Sequence, residues 1–292
     1  PTRLIDISDK DNMRLVERVT TRSHYIALSH RWIEASKMPR CVSSNIESLE
    51  KNIPWSALTR NFQDAIIFIQ DFASWYAKDH PDEEPIQYVW IDSLCIIQDS
   101  IADWDAESKL MCSVYEGALL TVAAAAGPDG CFAEAERVYK GFDSLRTPSR
   151  LDLMTRGWVM QERLLSRRFV IFAPNEVMWE CYESSQCECD DKGEHAARNL
   201  RNWWRRLVER YTTLDLTQES DRLPAIMGLA IQYGRRTGQE MQDYIAGIWR
   251  NSLPLDLLWH TENPSSEPDS QNLKAKETPS WSWASCRSQV RM

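Results

Sequence analysis

Glycine is scarce in this chain, with 10 in 292 residues. None of them builds the Gly-x-Gly-x-x-Gly pattern behind a strand, through which a backbone approaches a pyrophosphate, so a Rossmann dinucleotide site is not expected. A surplus of positive charge is missing too. Asp and Glu number 43 against 34 Lys and Arg, a formal charge of −9. Binding to a phosphate backbone by counterion release needs Lys and Arg gathered on one face, so no nucleic-acid partner is expected. No apolar run approaches the roughly 18 residues of a membrane span, and Pro1-Thr-Arg-Leu-Ile-Asp6 holds nothing like a signal-peptide core. The expectation is a cytoplasmic protein. Eight cysteines are too few for a dense disulfide framework in a chain of this length, and Cys95 and Cys112 sit inside apolar runs, where thiols pack as small hydrophobes.

What is present suffices for a sizeable core: 43% of the residues are hydrophobic and 10% aromatic. Tyr25-Ile-Ala-Leu-Ser29 reads as a short buried strand that ends at the polar cluster His30-Arg31-Trp32. Phe62, Ala65, Ile66, Ile69, Phe72 and Ala73 recur at helical spacing between Asn61 and Tyr76. Tyr88-Val-Trp-Ile-Asp92 is a second strand, Asp103 to Ala118 a second helix, and Leu119 to Ala126 contains a third strand before Gly127-Pro128 breaks the chain. This alternation predicts an α/β fold with a mostly parallel sheet. A short helix at Gly157 to Leu165 and a hairpin, Arg168 to Phe172 with Glu176 to Glu180 around Pro174-Asn175, follow. Helical candidates at Leu200 to Thr212 and Arg222 to Tyr233 dominate the rest, interrupted by the low-complexity loop Glu262 to Asn272. The expected division is 1–195, with a core at about 20–181, and a mainly helical extension, 196–292, packed on it.

One charge is out of place. On the helix beginning near Asp103, the positions Trp104, Glu107, Met111, Val114, Tyr115 and Ala118 share a face, and Glu107 is the only charge on it. A carboxylate there is either half of a buried ion pair or a functional acid. Arg31 and Trp32, behind the first strand, can supply a phosphate contact and a stacking surface, and Asp92, ending the second, can take a ribose hydroxyl. The plainer reading makes Trp32 core, pairs Arg31 with Glu107 or Asp92, and leaves His30 on the surface. Trp158, Gln161 and Leu165 share a face whose expected role is docking their helix onto the sheet, with Glu162 a second candidate carboxylate. Cys181, Cys187, Cys189 and His195 have no familiar zinc spacing, and no metal is expected. A Ser29–His30 nucleophile pair fails because neighbours on a strand point to opposite faces.

Four blocks in order resemble the fungal heterokaryon incompatibility (HET) domain family: Tyr25-Ile-Ala-Leu-Ser-His-Arg-Trp32; Tyr88 to Gln98 with its Trp90-Ile-Asp-Ser-Leu-Cys95; Asp103-Trp-Asp-Ala-Glu107 running on to Met111 and Tyr115; and Arg156-Gly-Trp-Val-Met-Gln-Glu-Arg-Leu-Leu-Ser166. Met178-Trp-Glu-Cys181, Asp221-Arg-Leu-Pro-Ala225 and Pro279-Ser-Trp-Ser-Trp283 resemble features found behind that domain. The family commonly has Gly after the Trp of the first block, where this chain has Ile33. The resemblance implies a role in non-self recognition and programmed cell death, and a remote relation to TIR domains, hence a TIR-like or flavodoxin-like sheet flanked by helices. Some TIR domains cleave NAD with an essential Glu shortly after an acidic-Trp pair. Asp103-Trp104 followed by Glu107 is similar, one residue shorter. On that reading NAD is a substrate rather than a cofactor, Glu107 is catalytic, and Arg31, Trp32 and Asp92 bind. Nicotinamide leaves as a neutral group, so one carboxylate suffices to hold the ribose hydroxyls and stabilise oxocarbenium charge, unlike the pair in ordinary glycoside hydrolysis. Two other readings stand beside it: a non-catalytic signalling module working by homotypic assembly or with an upstream sensor protein, and a HET scaffold recruited to small-molecule biosynthesis, with an apolar pocket lined by Trp32, Trp90 and Trp158.

Overall fold

The computed structural model describes residues 1–17, 23–32, 37–125, 151–173, 177–182, 184–187, 203–253, 255–261 and 278–292. The chain divides into two compact units, Pro1–Leu153 with Leu165–His195, and Met154–Leu164 with Ala196–Met292.

The first unit is built on eight strands: β1 (Arg3–Asp6), β2 (Arg14–Glu17), β3 (Tyr25–His30), β4 (Tyr88–Ile91), β5 (Leu120–Ala124), β6 (Arg168–Phe172), β7 (Val177–Cys181) and β8 (Ser185–Cys187). They lie in the order β2-β1-β4-β3-β5-β6-β7-β8. The middle four are parallel, and antiparallel pairs close both sides. Between them run the helices α1 (Ile46–Lys51), α2 (Arg60–Asp79), the single turn α3 (Asp92–Cys95) and α4 (Ile101–Gly117). The α/β reading therefore holds. In chain order the parallel strands are arranged 2-1-3-4, the doubly wound order of the flavodoxin-like folds, whose topological switch point lies between the first and third, here β3 and β5.

Register decides which residues face which helix. Tyr25 pairs with Tyr88 and Ala27 with Trp90, Ala27 also with Thr121, and Thr121 in turn with Phe169. With side chains alternating, Tyr25, Ala27, Ser29, Trp90, Thr121, Ala123 and Phe169 share one face. That face belongs to α4: the Tyr25 hydroxyl donates to the Val114 carbonyl at 2.6 Å, and the Trp90 and Tyr115 rings meet edge to face at 5.5 Å. The opposite face belongs to α2, whose Phe62 meets His30 at 4.9 Å and whose Phe68 meets Phe172 at 5.0 Å. Both helices start where side chains cap them. The Thr59 hydroxyl accepts from the Phe62 amide and the Ser100 hydroxyl from the Asp103 amide.

Strands at 3–6 and 14–17 escape the periodicity reading because each, Arg3-Leu-Ile-Asp6 and Arg14-Leu-Val-Glu17, has only two apolar residues between charged ends. Their turn is nonetheless written in Asp9-Lys-Asp-Asn12, where the Asp9 carboxylate accepts from the Asp11 amide and the Asn12 side chain. The expected turn at Pro174-Asn175, the residue Ile33, the segment from Ala126 through Gly127-Pro128 and the loop Glu262 to Asn272 lie outside the described residues.

The second unit holds α5 (Gly157–Leu165, whose last residue belongs to the first unit), α6 (Trp203–Tyr211) and α7 (Pro224–Thr237). Trp204, Leu207, Val208 and Tyr211 form the buried stripe of α6 at helical spacing. Pro224 opens α7 and Gly238, at φ 69°, closes it in the left-handed conformation that favours glycine. Trp204, Tyr233, Tyr244 and Trp249 pack with ring centroids 5.1–6.1 Å apart. Against the expectation that α5 serves the sheet, the Trp158 indole donates to Asp221 at 3.0 Å and the Gln161 carbonyl accepts the Gly228 amide at 2.8 Å. The face carrying Trp158 and Gln161 is thus held within the helical unit.

Candidate functional site

The carboxyl ends of β3 and β4 carry two arrangements of polar groups, one toward each helix layer. Toward α2, His30 Nε2 lies 2.8 Å from Asp92 Oδ1, the Trp32 indole donates to Asp92 Oδ2 at 2.7 Å, and the Ser93 amide donates to Oδ1 at 2.6 Å. The His30 Nδ1 lies 3.2 Å from the Arg31 carbonyl, so both ring nitrogens face acceptors. His30 is 4% exposed and packed on Phe62, so the expectation of a surface histidine is wrong. Its position explains why: as an even-numbered residue of β3 it falls on the α2 face, and Asp92 satisfies it there. Asp92, placed by the turn from β4 into α3, is engaged by three donors and organises His30 and Trp32. A free ribose-binding carboxylate was the expectation. Trp32 is half-buried and Arg31 exposed, both directly behind the switch point.

Toward α4 the picture is reversed. Glu107 is 2% exposed, its Oε2 has no hydrogen-bond partner, and no cation pairs with it among the described residues. An ionised carboxylate in such surroundings costs several kcal/mol unless paired, on the order of the penalty for any buried ion. The structure thus supplies no ion pair to explain it. Met111, Cys112, Val114 and Tyr115 complete the buried face, while Trp104 is only half-buried. Ser29 Oγ and Ser93 Oγ, in residues 1% and 0% exposed, are likewise without partners among the described residues.

Asp103 has a structural part. Arg3, buried in β1, grips it with two guanidinium nitrogens at 3.0 and 2.6 Å, donates also to the Cys95 carbonyl and pairs with Glu17, and the Ile97 amide donates to Asp103 at 2.8 Å. Burial by itself would raise the Asp103 carboxyl's pKa, but the Arg3 and Ile97 hydrogen bonds outweigh it and hold the group below the usual carboxylate range. These contacts fix the first turn of α4, and with it Glu107 one turn on. Sequence reasoning missed Arg3 because its partner lies 100 residues away, and it missed the orphaned serines because a buried hydroxyl without a partner leaves no mark in a pattern.

Cys95 is no nucleophile, since burial pushes its thiol up to about 12. Cys181 sits with Ser184, its Sγ accepting the Ser184 amide at 3.3 Å, while Cys189 and His195 of the weighed zinc set lie outside the described residues. Glu162 is buried in the second unit, apart from this edge in the chain's division.

Residues 25–150 match the family model described as Heterokaryon incompatibility protein (HET). The chain carries a HET domain. The match begins at the first residue of β3 and takes in β4, α4 and β5, so the groups at the carboxyl edge described above, apart from Arg3 and its partner Glu17, lie within the matched stretch. No curated protein and no solved structure matches the chain. No helix among the described residues is long and apolar enough to cross a membrane.

Proposed function

We propose that the chain is a fungal non-self-recognition and cell-death effector whose HET domain hydrolyses the nicotinamide N-glycosidic bond of NAD through Glu107. The observation that supports this most is the Glu107 carboxylate, buried on the α4 face that packs on the sheet and unpartnered among the described residues. A group so costly to the fold is retained for what it does. The TIR-like pattern Asp103-Trp104 to Glu107 names the reaction class, with Asp103 anchoring the helix rather than touching substrate.

In the proposed step the C1′–N bond breaks and its electron pair leaves on nicotinamide, which departs neutral. Positive charge grows on the ribose, and the Glu107 carboxylate, in a low-dielectric setting, stabilises it. Water adds its oxygen to C1′ and releases a proton to solvent, giving ADP-ribose. Arg31 contacts the diphosphate and Trp32, held by Asp92, stacks on a ring. Assembly without catalysis is the second reading, supported by Ile67 and Trp75 standing exposed on α2.

Nicotinamide release from NAD by purified protein, run beside Glu107→Gln, separates these readings. Turnover by the parent chain and a fall of at least 100-fold in the variant is expected. Equal release by both would overturn the assignment.

A further inference from the structure

We infer that Ser29 and Glu107 form one subsite, in which the Ser29 hydroxyl and the Glu107 carboxylate hold the hydroxyl edge of a ribosyl group. The inference rests on the NAD reading and adds to it the residue that shares the sugar with Glu107.

Geometry brings the two together. The Tyr25 hydroxyl pins the start of β3 to Val114 near the end of α4, and Gly117 lies so near that a Cβ there would sit 2.9 Å from the same oxygen. From that pin β3 advances four residues to Ser29, about 13 Å at strand rise. The helix runs back seven residues to Glu107, about 10 Å at helical rise. Both side chains are on the same side of the sheet: Ser29 shares the face of Tyr25 and Ala27, and Glu107 is in the buried stripe of α4 that meets that face. Measured from the pin, the two therefore lie within about 3 Å of one another along the strand direction, both toward the carboxyl edge.

Two further facts give the place the character of a site. The strand surface beside Ser29 is made of small residues, since Ala123 is its register partner on β5 and Ala27 precedes it on the same face. Moreover, both groups have a buried oxygen with no partner, and they do not bond to each other. Buried polar atoms in native proteins are nearly always satisfied, so a hydroxyl and a carboxylate left open at one edge call for a third party with hydroxyls. A ribose diol offers two O–H groups to the carboxylate and an acceptor oxygen to the serine.

Ser29→Ala removes only the hydroxyl, and the variant should fold as the parent does. Calorimetric titration with ADP-ribose, and with its analogue lacking the 2-hydroxyl of the terminal ribose, reads the site without turnover. The expected result is a three- to tenfold weaker binding of ADP-ribose by Ser29→Ala, matching the loss of one neutral hydrogen bond, and a smaller penalty for the deoxy analogue in the variant than in the parent. Unchanged affinity and discrimination in Ser29→Ala, with nicotinamide release still dependent on Glu107, would overturn the subsite and leave the NAD reading standing. A parent chain that neither binds ADP-ribose nor releases nicotinamide would overturn both.

Discussion

In the proposed reaction Glu107 is the residue on which the chemistry turns, and its cost to the fold is itself measurable. An unpaired carboxylate buried to 2% exposure opposes folding, so Glu107→Gln is expected to raise stability by about 0.5–2 kcal/mol in denaturant titration at pH 7. A variant less stable than the parent would mean that Glu107 has a partner the fold needs. Asp103, four residues earlier, behaves in the opposite way. Its carboxyl is depressed in the folded state, so its contribution is present above the unfolded value near 4 and is lost as pH falls through the folded one. Asp103→Asn should therefore cost about 2 kcal/mol at neutral pH, and the gap to the parent should close as pH falls below the usual carboxylate range and through the depressed folded-state value. A gap that persisted in acid would assign the loss to packing. Glu107 could be singled out from sequence because a lone charge on an apolar stripe is visible in a helical period. Its lack of a partner was not visible, since that depends on which strand faces it.

At the scale of elements, long periodic segments and short apolar strands were legible, and short strands with charged ends were not. α2, α4 and α5 were expected within a few residues of their bounds, because burial of one face imposes a repeat on the sequence. β1 and β2 carry no such repeat, and β1 matters most to the site through Arg3. The hairpin of β9 (Tyr244–Ile245) and β10 (Ile248–Trp249) in the second unit is another short element with a strict demand. Ala246 at φ 47° and Gly247 at φ 92° make the two-residue turn, and the Gly247 carbonyl accepts from the indoles of Trp204 and Trp283 at 3.1 and 2.9 Å. A Cβ on Gly247 would sit 2.6 Å from the Trp283 ring. Gly247→Ala is expected to cost about 2–3 kcal/mol, whereas Ala246→Gly should be neutral or stabilising by up to about 1 kcal/mol, both read from thermal melting. Equal effects would show that the turn is not the constraint.

For the whole molecule, the fold class and the HET resemblance were readable because both rest on order: strand, helix, strand, and four blocks in sequence. The organisation of the edge was not, because it depends on the 2-1-3-4 strand order, which brings the ends of β3 and β5 side by side and leaves Arg31-Trp32 at the switch point. His30, Asp92 and Trp32 then form a closed network on one side, and Ser29 and Glu107 remain open on the other. The most direct measurement is nicotinamide released per chain from NAD over a series of protein concentrations, for the parent and for folded Glu107→Gln. Release beyond one equivalent per chain by the parent, and none above background by the variant, is the result expected. Release by both at the same rate, or none by the parent even at concentrations where chains self-associate, would contradict the assignment of catalysis to Glu107.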